Sequence, residues 1–273
     1  LKMKLKKQSG FTLVEIAIVL VVIGLLLGGI LKGQQLINSA RVRNLADQNS
    51  GIQAAYYGFI DRYRNLPGDM LATAACTAIG TAIDTFGACA TPANAPGGVT
   101  LLGGNGRIDT VPEAGSVWPH LSAAGFLNGT FTGQLDGAAT LLTDTTYKTG
   151  SVAIGAVPPN AFQGPIMLAH SDSYQDVSAR ALVSRLVYSF GGNIPVPLLR
   201  DLDQKLDNGI AGSGVLRTAA EITDTTGTAD GFATIVDYTT GTSDDCVTAG
   251  VGTAPDTWNV NSANQTCNAV FLY

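Results

Sequence analysis

The chain has 273 residues, 16 of them basic and 21 acidic, a formal charge of −5; 45% of its residues are hydrophobic and only 14% charged. That hydrophobic content excludes a disordered chain, and the acidic excess argues against a broad nucleic-acid surface. The length allows one large domain or two small ones.

The first ten residues, LKMKLKKQSG, hold four lysines and no acid. Leu1 is not methionine, which implies a truncated start or an alternative start codon. Gly10 to Leu31, GFTLVEIAIVLVVIGLLLGGIL, carries one charge, Glu15. As a helix rising about 1.5 Å per residue it matches the roughly 30 Å of a bilayer's hydrocarbon core. The lysines predict a cytoplasmic flank, with the bulk of the chain on the far side. A basic segment before an apolar run is shared with secretory signals, but no small-x-small site follows this run, which ends GGILKGQQL. The small residue, Gly10, precedes it, so a cut there leaves the apolar helix on the mature chain. Removal of residues 1–10 also leaves 12 basic residues against 21 acidic ones. A carboxylate within such a span is costly in lipid and calls for a partner.

QSG followed by FTLVE resembles the processing site of type IV prepilins and of the pseudopilins of type II secretion. The resemblance implies cleavage between Gly10 and Phe11 by a membrane-embedded prepilin peptidase, and N-methylation of Phe11. It implies that Glu15, fifth after the cut, pairs with the N-terminal amine of a neighbouring subunit. It also implies a membrane-held precursor in the bacterial inner membrane, head in the periplasm, delivered by an assembly platform into an extracellular pilus or a periplasmic pseudopilus built of its own copies. The physical reading agrees: a carboxylate in an apolar layer needs an opposite charge, and cleavage creates an ammonium at that depth.

Lys32 marks the expected membrane exit, and no proline interrupts the helix before Pro67. Leu45, Ile52, Tyr56, Phe59 and Tyr63 fall on one helical face, with Arg43, Asp47, Gln53 and Asp61 opposite. A helix over 11–65 is predicted, apolar over 11–31 and amphipathic beyond, packed against a head over 66–273. Gly28, Gly29 and Gly33 are costly inside a helix. They either loosen it, as the pilin resemblance implies for assembled filaments, or allow close helix packing. The fold class is α+β: a long N-terminal helix on a β-rich globular head.

In the head, LPGD (Leu66 to Asp69) ends the helix in a turn, and an Ala/Thr-rich loop is predicted to about Gly98. Cys76 and Cys89 lie 13 apart, Cys246 and Cys267 21 apart. In an exported chain these four read as disulfides; three connectivities are open, and the two local pairs are favoured because short loops close readily. Zinc is the rival, but there is no CxxC and only two histidines. The pilin resemblance adds a closed C-terminal loop. GGNGR, Gly103 to Arg107, predicts a tight turn. Pro112 to Gly125 predicts a helix with Trp118, Leu121 and Phe126 inward, His120 packed or on the surface, and a bend at Pro119. Strands are predicted over 151–157, 166–170, 181–190, 231–237 and 268–272. Pro197 to Gly209 predicts a helix with a Leu198, Leu202, Leu206 stripe, its Asp201 and Asp203 facing water, stopped by Asn208-Gly209.

These segments also resemble, more loosely, a group of large pilin-like proteins whose pattern runs LPGD, a Gly/Asn-rich turn, W-x-HL-x-x-AG and K-x-DDG-x-x-x-x-G. Here Trp118 to Gly125 and Lys205 to Gly214 fill the last two, with Asn208 in place of the second aspartate.

No G-x-S-x-G, H-E-x-x-H, P-loop or Rossmann fingerprint appears, so no enzyme activity, catalytic residue, metal or cofactor is assigned. Nothing has EF-hand spacing; were calcium bound, as the resemblance to major pseudopilins implies, Asp244 and Asp245 would be the best placed. Asn128-Gly-Thr130 and Asn264-Gln-Thr266 match the glycosylation sequon. The expected function is a structural subunit of a type IV pilus-like filament serving adhesion, motility or DNA uptake. The alternatives are a pseudopilin of type II secretion or a minor pilin with a ligand-binding head.

Overall fold

A computed structural model describes residues 12–80, 83, 104–133, 155–172, 174, 183–219, 246–248, 250, 254–262 and 267–273. By contacts the chain forms two units, one up to Arg41 and one from Val42 onward.

Helix α1, Leu13–Tyr63, contributes to both units. Up to Ile37 its large apolar side chains are exposed, Leu13 by 86% and Leu25 by 73%. No packing among the described residues covers this surface, and the helix is long and apolar enough to cross a membrane. Helical backbone runs unbroken through Gly28, Gly29 and Gly33, and nothing lies within 4 Å of where their β-carbons would be.

From Val42 the helix becomes amphipathic. Val42, Leu45, Asn49, Ile52, Tyr56 and Phe59 are buried at helical spacing, while Arg43, Asp47 and Asp61 stay exposed. Two glycines on this stretch differ in their surroundings. A β-carbon on Gly58 would stand 2.9 Å from the Phe126 ring, whereas Gly51 has open space. Gly51→Ala is therefore expected to stabilise the protein by about 0.5–1 kcal/mol through helix propensity. Gly58→Ala is expected to destabilise it, because the propensity gain is outweighed by displacing a packed ring. Equilibrium urea unfolding of the two variants checks this; equal shifts of one sign would refute it.

Three further helices are described. The Ala/Thr-rich stretch expected as loop contains a short one, α2, Ala72–Ala78: alanine, without side-chain entropy to lose, supports a helical turn where only loop composition was read. Helix α3, Val111–Ala123, buries Trp118 and Leu121 and continues through Pro119. Phe126, just beyond it, is partly buried against the core. Helix α4, Val196–Leu206, buries Val196, Leu199, Leu202 and Asp203. This corrects the expected stripe: Leu198 and Leu206 sit at its edge. Asp203 does not face water but is fully buried, its Oδ2 accepting the Trp258 indole N–H at 2.7 Å. Gly209 follows with φ +78°, as a left-handed stop requires.

The main sheet is antiparallel, in the order β1–β2–β6–β3. Its strands are β1, Met167–Ser171; β2, Arg185–Ser189; β3, Leu216–Thr218; and β6, Ala269–Leu272. A second pair joins β4, Val247–Thr248, to β5, Thr257–Trp258. Of the expected strands, 166–170 and 268–272 are present within a residue; of 181–190, residues 181–182 lie outside the described residues and the strand runs over Arg185–Ser189. Gly155 and Ala156 form a turn rather than strand, because Gly155 takes φ +86°, and Val157 makes a single β-bridge. Residues 151–154 and 231–237 lie outside the described residues.

Cys246 and Cys267 form a disulfide that joins the segment before β4 to the start of β6. Cys76 is not a free thiol; Cys89, its expected partner, lies outside the described residues. So do Gly10, Phe11, Asp244, Asp245 and the sequon at 264–266.

Candidate functional site: the N-terminal motif and the polar frame of the head

Thr12 and Glu15 open α1 together. Glu15 Oε2 accepts the Thr12 backbone N–H at 2.9 Å and the Thr12 hydroxyl at 2.8 Å, while the Thr12 Oγ1 accepts the Glu15 N–H at 3.3 Å. This is a reciprocal capping box, which satisfies helix N–H groups that have no partner one turn further back. The signal is present in the sequence as T-x-x-E, Thr12 to Glu15. Glu15 Oε1 makes no hydrogen bond among the described residues. The side chain thus holds the helix start with one oxygen and presents the other.

The head motifs converge on hydrogen bonds to main chain. Asp69, the last residue of LPGD, is buried. Its Oδ1 accepts the N–H groups of Gly104 at 2.6 Å and Asn105 at 3.1 Å, and its Oδ2 that of Gly106 at 2.8 Å. The expected tight turn is there: Gly104 and Gly106 have φ +93° and +81°, so successive N–H groups point at one carboxylate. Asn105 completes it, donating to Asp109 Oδ2 at 3.0 Å and accepting the Arg107 N–H at 2.8 Å.

Each histidine holds a backbone N–H. His120 Nδ1 accepts that of Gly68 at 3.0 Å, and its ring stacks on Phe59. Burial lowers its pKa to about 4, so it is neutral and its proton sits on Nε2. His170 Nδ1 accepts the Ile108 N–H at 2.9 Å, and burial, then the nearby Arg107, lowers its pKa as well. Among the described residues neither donates to a serine.

A second T-x-x-E box starts α3. Thr110 Oγ1 accepts the Glu113 N–H, while Glu113 Oε2 accepts the N–H groups of Asp109 at 2.9 Å and Thr110 at 3.0 Å. Unlike Glu15, Glu113 is buried, and its Oε1 has no hydrogen-bond partner among the described residues. Burial raises its pKa to about 7.

The K-x-D-N-G segment is also a backbone clasp. Asp207 Oδ2 accepts the N–H groups of Val215 at 2.5 Å and Leu216 at 3.3 Å, which starts β3. Asn208 accepts from the Ile210 N–H at 2.8 Å and donates to Ser213 Oγ at 3.0 Å. Among the described residues no cluster of three or more His, Cys, Asp or Glu side chains could hold a metal ion.

Residues 5–31 match the prokaryotic N-terminal methylation motif, the signature of type IV pilins and pseudopilins. No curated protein and no solved structure gives a significant match to the chain. The motif supports a type IV pilin-like or pseudopilin precursor. It implies processing by a prepilin peptidase and assembly into a filament.

Proposed function

We propose that this precursor matures, by cleavage between Gly10 and Phe11 and N-methylation of Phe11, into a structural subunit of a type IV pilus-like filament. The observation that carries the proposal is the methylation motif running directly into a helix whose apolar side chains, Leu13 to Ile37, have no partner among the described residues. Before assembly that surface is solvated by the inner membrane, with the head in the periplasm. In the filament it is covered by the same helix of other copies. Lipid is as apolar as leucine, so burial alone gives little preference between the two states. Close packing and the Glu15 charge must supply it. In this reading the head is a surface module held rigid by its backbone clasps, not a catalyst.

The capping box makes the Glu15 proposal separable into two parts. Glutamine at the same place still closes the box but carries no charge. Glu15→Ala and Glu15→Gln are both expected to remain in the membrane and to lose at least about tenfold in filament incorporation, the equivalent of one lost charge-assisted contact. Normal incorporation of the Gln variant would mean that Glu15 serves the helix start alone. Mass spectrometry of filament subunits should find an N-methylated Phe11 at the amino terminus; an intact leader would refute the maturation step. The bulk protein of sheared surface filaments should be this chain; its absence there, with presence in a periplasmic secretion assembly, would replace the pilus by a pseudopilus.

A further inference from the structure

Three Asn-Gly pairs occur in this chain, Asn105-Gly106, Asn128-Gly129 and Asn208-Gly209, and all three asparagines are exposed. Asn-Gly is chemically labile: the glycine nitrogen, unhindered by a side chain, can attack the asparagine Cγ. A folded protein suppresses this by holding the amide and the attacking N–H in hydrogen bonds.

Two of the pairs are held. Both ends of the Asn105 amide are bonded, and the Gly106 N–H is given to the Asp69 carboxylate at 2.8 Å. Both ends of the Asn208 amide are bonded, and the Gly209 N–H faces the buried Asp203 carboxylate. The third pair differs. Among the described residues Asn128 has no hydrogen bond to its side chain, and the Gly129 N–H has no acceptor. Gly129 sits at φ +106° in the turn after α3.

We propose that Asn128 is a site of spontaneous deamidation. The Gly129 nitrogen bonds to Asn128 Cγ and loses its proton, and the amide nitrogen leaves as ammonia, closing a succinimide ring. Water then opens the ring at one of its two carbonyls, giving aspartate or, where the main chain is rerouted through the β-carbon, isoaspartate. One water is consumed, one ammonia is released and one negative charge appears; no redox step is involved. Asn128 lines a cleft of about 400 Å³ with Gln48, Ile52, Phe126, Phe131 and Pro159. The reaction therefore places a carboxylate on the rim of an otherwise largely apolar hollow and marks the age of each subunit irreversibly.

The test is timed incubation of the full-length protein in detergent at mildly alkaline pH. Peptide mass spectrometry follows the amide-to-acid mass gain at each pair, and isoaspartyl methyltransferase labelling reports the rerouted product. Asn128 is expected to convert at least about tenfold faster than Asn105 or Asn208, since each of those must first give up the hydrogen bonds that hold its amide. In urea the three rates should converge, because each site is then an unstructured Asn-Gly pair. Asn128→Gln should abolish the early isoaspartate signal without changing the circular dichroism spectrum. Equal rates in the folded chain, a persistent early signal in Asn128→Gln, or a glycan occupying the Asn128 amide in protein from the native host would each overturn the assignment.

Discussion

Asp69→Ala is expected to lower the stability of the head by about 4 kcal/mol, the largest effect of any single polar substitution here. The side chain reaches only main chain, yet it accepts three N–H groups in a row. Bonds to a charged acceptor are worth about 1.5–3 kcal/mol each, and the total is discounted because Gly104 to Gly106 are exposed and their N–H groups regain water. Alanine also releases two positive-φ glycines from the conformation that gathered those groups. Asp69→Asn should fall between: its carbonyl oxygen can keep the Gly104 and Asn105 bonds, but its NH2 meets the Gly106 N–H donor to donor. Urea unfolding of the full chain in detergent measures this from the shift in midpoint at constant slope. A loss under about 1 kcal/mol for alanine would mean that the turn closes without its anchor.

The long helix was legible because its two signals are local and strong. An uninterrupted apolar run and a later stripe at 3- and 4-residue spacing need no partner to be read, and the structure buries that stripe from Leu45 to Phe59, with Tyr63 partly buried at its end. The β4–β5 pair, by contrast, could not be read. It has two residues on each strand, too few for alternation, and its register exists only through its partner. Asp203 was misread although its position was informative. It stands four residues after Leu199 and next to Leu202, inside the buried stripe. Only the partner, Trp258, 55 residues away, shows how a carboxylate is tolerated there. Thr12–Glu15 and Thr110–Glu113 show the reverse: the same four-residue signal was readable twice in the sequence. What sequence cannot supply is that one glutamate ends exposed and the other buried, since tertiary packing around the helix start decides that.

That difference in burial gives the head a pH profile with two opposed slopes. His120 takes its proton near 6.5 when unfolded but only at about 4 when folded. Between those values the unfolded chain binds more protons, so stability falls as pH falls, by about 3 kcal/mol across the window. His170, also lowered, adds to the same limb. Glu113 runs the other way. Its ordinary value of 4.5 rises to about 7 in the fold, so between these values the folded chain binds more protons and stability falls as pH rises. Over pH 4.5 to 6.5 the two contributions oppose each other, and the wild-type protein should show a shallow profile there. Glu113→Gln keeps the capping box but removes the titration, leaving the histidines alone. This variant should become steadily less stable from pH 6.5 down to 4, and should gain relative to wild type above pH 7. His120→Gln should tilt the other way, with stability decreasing from pH 4.5 to 7, because Glu113 then acts with less opposition. Unfolding midpoints at half-unit pH steps distinguish the three curves. Parallel curves for wild type and Glu113→Gln would mean that the buried carboxyl ionises in the fold as freely as in water.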